Sequence, residues 1–170
     1  MSTRSWDCVV SDDEPLVDFS NAYSPAYTAV LEEIERTRTC PFSQEGLACQ
    51  SKEVLAEAGD WFSIECTPHY RDRDGDPVPA HFLFVSKKHG LWVPGPGDMY
   101  FIGFLMERAQ KSCPQVSGWA LAGRLSPPSK SEFGGQSIRH NHLHFFASNT
   151  REDARTPTGQ HSVAVDFGFF

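Results

Sequence analysis

No stretch of this chain is apolar for long enough to cross a bilayer as a helix, which takes about 20 residues. The N-terminus is polar and acidic, so no secretory leader is expected there. Disulfide scaffolding is also lacking. The five cysteines (Cys8, Cys40, Cys49, Cys66 and Cys113) are odd in number and irregular in spacing, which points to a reducing cytoplasm. There is no excess of positive charge. A net charge of -7 argues against a nucleic-acid or other phosphate-backbone partner, although local donors could still hold a small anion. Neither an internal repeat nor a linker breaks up the 170 residues, a length that suits one domain with its own core.

What is present reads as alternating strands and a few helices. Residues 1–21 form a polar arm, loose or clipped onto the domain, and residues 22–170 a single domain. Ser24 and Pro25 suit the start of a helix that places Ala29, Leu31 and Ile34 near one face and stops before Cys40-Pro41. Asp98 can cap a second helix from Met99 to about Lys111, with Phe101, Ile102, Leu105 and Ala109 on its buried side. Strands are expected at Val54–Ala56, Trp61–Cys66, His81–Ser86, Trp119–Gly123, Ser137–Phe146 and Val163–Phe167. Gly59-Asp60 reads as a turn. Tyr70–Pro79, Leu125–Phe133 and Asn149–Gln160 read as loops. The expected fold is α+β: a largely antiparallel sheet with one or two packed helices.

The strongest local signal is His140, His142 and His144, at alternate positions behind Gly134-Gly135-Gln136-Ser137. On a strand, alternate side chains share a face, about 7 Å apart. Neutral imidazole is a nucleophile, a proton carrier and a metal ligand. Three readings are open: chance alternation on an edge strand, a structural metal site, or a phosphate-handling enzyme. A closed zinc site wants four ligands, and the candidates elsewhere are Cys40, His81 and His89. For the enzyme, Ser137 and the backbone N–H groups of the glycine turn would hold the anion.

Gly134 to Phe146 resembles the histidine triad (HIT) family, whose signature is His-φ-His-φ-His-φ-φ with φ apolar. Gly-Gly-Gln-Ser before it looks like the phosphoramidase branch, the histidine-triad nucleotide-binding proteins. Ala80 to His89, an apolar strand opened by His81 and closed by Lys87-Lys88-His89, is similar to a second block of the family. Cys40-Pro41-Phe42 resembles the Cys-x-x-Cys start of many members. The resemblance runs in order from about Cys40 to Phe146, and motifs matched in series are far harder to meet by accident than one.

The resemblance implies a HIT-like fold and a hydrolase acting at the α-phosphate of nucleoside phosphoramidates or (di)nucleoside polyphosphates. His142 would attack phosphorus to give a nucleotidyl-imidazole, which water then cleaves. His144 would contact the bridging atom and protonate the leaving group. Ser137 would donate to the phosphate or leaving group, and His140 and His81 would orient the nucleophile. A histidine at 144, where transferase branches carry glutamine, favours hydrolysis. Gly135 and Gln136 belong to the expected substrate-binding set. Glu65 falls where the family holds the ribose hydroxyls, or is a solvated strand-end charge. Arg124 lies near the position of a phosphate-side asparagine and could pair with phosphate, or be a surface charge.

Two departures stand out. Asn141 occupies an apolar position of the signature, so the back of the strand there meets a polar partner or is less buried. Ser43 replaces the second cysteine, leaving Cys40, His89 and His140 of the family's zinc set, so no cofactor is expected. The family is often a homodimer, which implies a second copy against the helix at Met99–Lys111 and the apolar end Asp166–Phe170. The alternative class is a non-catalytic nucleotide-binding module of the same fold; a structural zinc protein is a third.

Overall fold

In the computed structural model the described residues are 6, 13–22, 24–66, 77–116, 118–124 and 137–148. The expected strand at Val163–Phe167, the apolar end at Asp166–Phe170, the Leu125–Phe133 loop, and Gly135 and Gln136 lie outside them.

Among the described residues five strands make one sheet: β1 (Val54–Ala58), β2 (Trp61–Glu65), β3 (His81–Ser86), β4 (Gly118–Ala122) and β5 (His142–Ser148). Their order is β1-β2-β3-β5-β4, and every neighbouring pair is antiparallel. The α+β reading therefore holds. The β1–β2 hairpin turns at Gly59-Asp60, where Gly59 takes φ +55 and a Cβ would run into the Phe101 ring, so only glycine serves.

Alternation divides the sheet into two faces. Trp61, Phe82, Phe84, Leu143, Phe145 and Ala147 lie on one. The helix α3 (Pro96–Ser112) covers that face with Ile102, Leu105 and Ala109. Phe62, Ile64, Leu83 and Val85 lie on the other. They meet α1 (Pro25–Thr37), α2 (Gln44–Cys49) and the segment around Leu16-Val17. Covered on both faces, all six residues of β3 are buried, which is why it reads as an unbroken apolar run.

Two local expectations need correction, and a third narrows to one of its alternatives. Asp98 is not the cap of α3. The helix begins earlier at Pro96, and Asp98 accepts the Gly95 N–H at 2.9 Å from inside the first turn. On α1, Leu31 and Ile34 are buried but Ala29 is exposed. The chain around Leu16 is also no loose arm. Leu16 and Val17 are buried, Val17 bridges Ile138, and the Leu16 N–H donates to Glu35 Oε2 at 3.0 Å. The Trp6 ring stacks on Phe62 at 4.3 Å between centroids. A clip onto the domain is therefore the reading that fits.

Two elements had no counterpart in the pattern, a 3-10 turn at Phe19–Asn21 and α2. Ser43 caps α2, accepting the Gly46 N–H at 3.0 Å. A Cβ on Gly46 would fall on the Cys40 carbonyl, so glycine allows α2 to pack onto the Cys40-Pro41 backbone.

Asp98 ties α3 to the sheet through its second oxygen, which accepts the indole N–H of the fully buried Trp61 at 2.8 Å. Asp98→Ala strands that N–H and removes the acceptor at Gly95. Urea unfolding is expected to show a loss of about 2–3 kcal/mol, in line with a buried hydrogen bond to a charged group.

Candidate functional site

The histidine pair His142 and His144 projects from β5 on the same face as Leu83 and Val85, their partners across the β3–β5 ladder. Their rings are 5.2 Å apart between centroids and roughly perpendicular. Phe42, from the turn before α2, packs against the His142 ring at 5.1 Å and the His140 ring at 5.3 Å.

His140 is the most deeply buried of the three histidines. It lies before β5, in a parallel bridge with Gly90, and its N–H bonds back to the Ile138 carbonyl at 2.8 Å. Its ring is fully buried beside Cys40, His89 and Phe42, the last of which also packs on His142. What His140 offers His142 is its backbone: the carbonyl lies 2.7 Å from His142 Nδ1. A carbonyl only accepts, so Nδ1 carries the proton and the free lone pair is on Nε2. Burial is the main reason that the His142 pKa falls to about 4; the His140 bond opposes this and nearby His140 charge adds to it. His142 is thus a neutral imidazole at pH 7 with one defined nucleophilic nitrogen.

His144 is held from the other side. Its Nδ1 lies 3.0 Å from Nε2 of the buried His81, and the two rings stack at 5.2 Å. Ser137 is anchored at both ends: its carbonyl accepts the Asp18 N–H at 3.0 Å, and its Oγ lies 2.6 Å from the Tyr27 hydroxyl. Arg124 follows Ala122, the β4 partner of His144, by two residues; extended, that register sets Arg124 level with His142. Glu65 does not join them. It pairs with Phe82, whose side chain is on the α3 face, and alternation puts the exposed Glu65 on that face too, away from the histidines. Cys66, one residue on, packs with the cluster of the histidine face.

Cys40, His89 and His140 also converge, each offering one ligand atom with all three within 4.8 Å of one another. The His140 Nε2–H donates to the Ser86 carbonyl at 2.6 Å, so Nδ1 faces the Cys40 sulfur at 3.2 Å without a proton, the tautomer of a ligand. One thiolate and two imidazoles suit zinc with a fourth position left to water. Ser43 is no fourth ligand, since its hydroxyl donates to the Cys40 carbonyl at 2.8 Å and caps α2.

Asn141 resolves the irregularity in the signature. Its buried side chain donates to the Trp92 carbonyl at 2.8 Å and accepts from the Trp92 N–H at 3.5 Å. Its own N–H donates to the Gly90 carbonyl at 2.9 Å. The polar partner behind the strand is the 90–92 backbone. Tyr27 and Phe42 are the contributors without a signal of their own; an aromatic residue in a helical or loop pattern reads as core.

No family model matches the chain, and no curated protein does. Among solved structures, it is similar to a histidine triad protein from Clostridium difficile, with 18% identity, 59% of this chain and 82% of that chain covered, and a TM-score of 0.42. It is also similar to a HIT family hydrolase from Legionella pneumophila Philadelphia 1, with 20% identity, 72% and 100% covered, and a TM-score of 0.40. Likeness at this level is one of outline.

The depressed His142 pKa has a definite sign. Unfolded, the group titrates near 6.5; folded, near 4. Its contribution to stability is complete above pH 6.5 and is lost as pH falls from 6.5 towards 4, because the unfolded chain takes up the proton first. Urea unfolding at pH 7 and pH 5 should show a larger loss for the wild type than for His142→Gln. An equal loss would mean that His142 titrates normally.

Proposed function

We propose that this chain is a nucleotide hydrolase of the histidine triad type, cleaving at the α-phosphate of nucleoside phosphoramidates or (di)nucleoside polyphosphates. The observation that carries the reading is the bond from His142 Nδ1–H to the His140 carbonyl, which leaves a neutral ring with its lone pair on Nε2. That nitrogen attacks the α-phosphorus, the N–P bond forms, and the bond to the leaving amine or phosphate breaks. His144 enters the step as the imidazolium, its Nδ1 proton shared with His81 Nε2, and gives its Nε2 proton to the leaving atom, which leaves it neutral. Water then attacks phosphorus and passes a proton back to His144, the N–P bond breaks, and His142 returns to its neutral form.

Ser137 and Arg124 would hold phosphate oxygens, together with Gly135 and Gln136 of the glycine turn. The steps use no cofactor. A zinc ion on Cys40, His89 and His140 would brace the His140 bend and leave the chemistry to His142. Among the described residues no cysteine pair forms a disulfide, in keeping with a cytoplasmic setting. Among the described residues no helix is long and apolar enough to cross a membrane.

A second copy of the chain is the proposed partner. Met99, Tyr100 and Phe104 of α3 are exposed on the side turned from the sheet. Light scattering at micromolar concentration should give a dimeric mass, and Phe104→Glu should reduce it to that of the monomer. A monomeric wild type would remove the dimer from the reading.

The direct test is intact-protein mass spectrometry after brief mixing with adenosine 5′-phosphoramidate, with released mononucleotide followed in parallel. The wild type should gain one nucleotidyl group transiently. His142→Ala should gain none and lose at least about a thousandfold in kcat/KM, as expected when the nucleophile itself is removed. Nucleotide binding with neither adduct nor product would make the protein a binding module.

A further inference from the structure

The segment before Cys40 lies outside the family resemblance, yet it grips the approach to the histidines. Val17 and Ile138 form an antiparallel bridge, flanked by Asp18 N–H to the Ser137 carbonyl at 3.0 Å and Arg139 N–H to the Leu16 carbonyl at 2.8 Å. Glu14 adds an ion pair to Arg139, and the Arg38 guanidinium holds the Glu14 carbonyl. These contacts fix the backbone of Ser137. Its side chain is fixed separately, by a residue 110 positions away: Tyr27, in the first turn of α1, sets its hydroxyl 2.6 Å from Ser137 Oγ. The turn that carries Tyr27 is itself pinned, because Ser24 Oγ accepts the Tyr27 N–H at 3.2 Å.

We infer that Tyr27 is a positioning residue for the reaction, acting through Ser137; the inference rests on the hydrolase reading above. A serine hydroxyl has one proton and can accept as well. To donate that proton to a phosphate or leaving-group oxygen or nitrogen, Ser137 must accept its own second bond from elsewhere. Tyr27 supplies it. The phenol is the more acidic of the two hydroxyls, so the favoured direction is Tyr27 O–H to Ser137 Oγ, with the Ser137 proton directed onward. Hydroxyls in such a chain polarise one another, so the terminal donor is stronger than an isolated serine. The bond also selects one Ser137 rotamer before substrate arrives, which lowers the ordering cost of the transition state. No proton need leave Tyr27; its part is to orient and polarise.

The expected pattern separates this role from a purely structural one. Tyr27→Phe should lower kcat about tenfold with an amine leaving group, the equivalent of one hydrogen bond, and leave KM within about twofold. With adenosine 5′-phosphorofluoridate, whose leaving group needs no proton, the loss should nearly vanish. Ser137→Ala should show the same dependence on leaving group, and the double variant should be no slower than Ser137→Ala alone. Replacing Tyr27 by 4-aminophenylalanine keeps a donor at the same reach and should restore most of the activity. That variant also carries the test should Tyr27→Phe unfold, which thermal unfolding will show. Wild-type kcat in Tyr27→Phe, losses that multiply in the double variant, or an equal loss with both leaving groups would overturn the inference while wild-type turnover keeps the hydrolase reading. Absence of turnover in the wild type would overturn both.

Discussion

The arrangement of the site depends on the short bond between the His142 imidazole and the main-chain carbonyl two residues before it. Just before it the His140 N–H returns to the Ile138 carbonyl in a tight turn centred on Arg139. The His140 ring is buried, and β5 begins two residues on, at His142. His140 thus acts twice: its carbonyl fixes the tautomer of His142, and its ring brings a third ligand atom to Cys40 and His89. Low dielectric around His142 does the rest, since an uncharged ring is the form that burial favours.

The sheet supports this by keeping its faces distinct. α3 and the large aromatic residues fill one side. The other carries the histidines, with Phe42 wedged against two of the rings. β3 lies central and buried and supplies His81 at its first position, directly paired with Phe146. His142 and His144 are therefore mounted on the strand next to buried β3, and Leu16, Val17 and α1 pack on the same face.

Much of this could be read from the residues. The strands from Val54 to Phe146, α1 and α3 follow from apolar period and from capping at Ser24. The grouping of His142 and His144 follows from strand alternation, and His81 joins them through the family resemblance. The misses have physical causes. α2 is six residues long and too short to show a period; its cap, Ser43, draws notice only as a missing cysteine. Alternating residue types do not say where a strand begins, so His140 reads as part of it. Glu65 and Cys66 differ by one position, and one position reverses the face. Leu16 and Val17 are two apolar residues in a polar segment, and their burial comes from a long-range bridge that local sequence does not carry.

Asn141 extends the sheet's logic beyond the sheet. Its carboxamide meets both backbone groups of Trp92 as a neighbouring strand would, so one side chain replaces a rung of ladder where no strand exists. The loop carrying His89 and the start of β5 are thereby tied together. Consecutive residues 140, 141 and 142 face the thiol cluster, the loop and the open face in turn, leaving no slack between them. A displacement imposed at any one of these places is geometrically a displacement of the other two, so the orientation of the His142 ring is tied to the loop that carries Trp92.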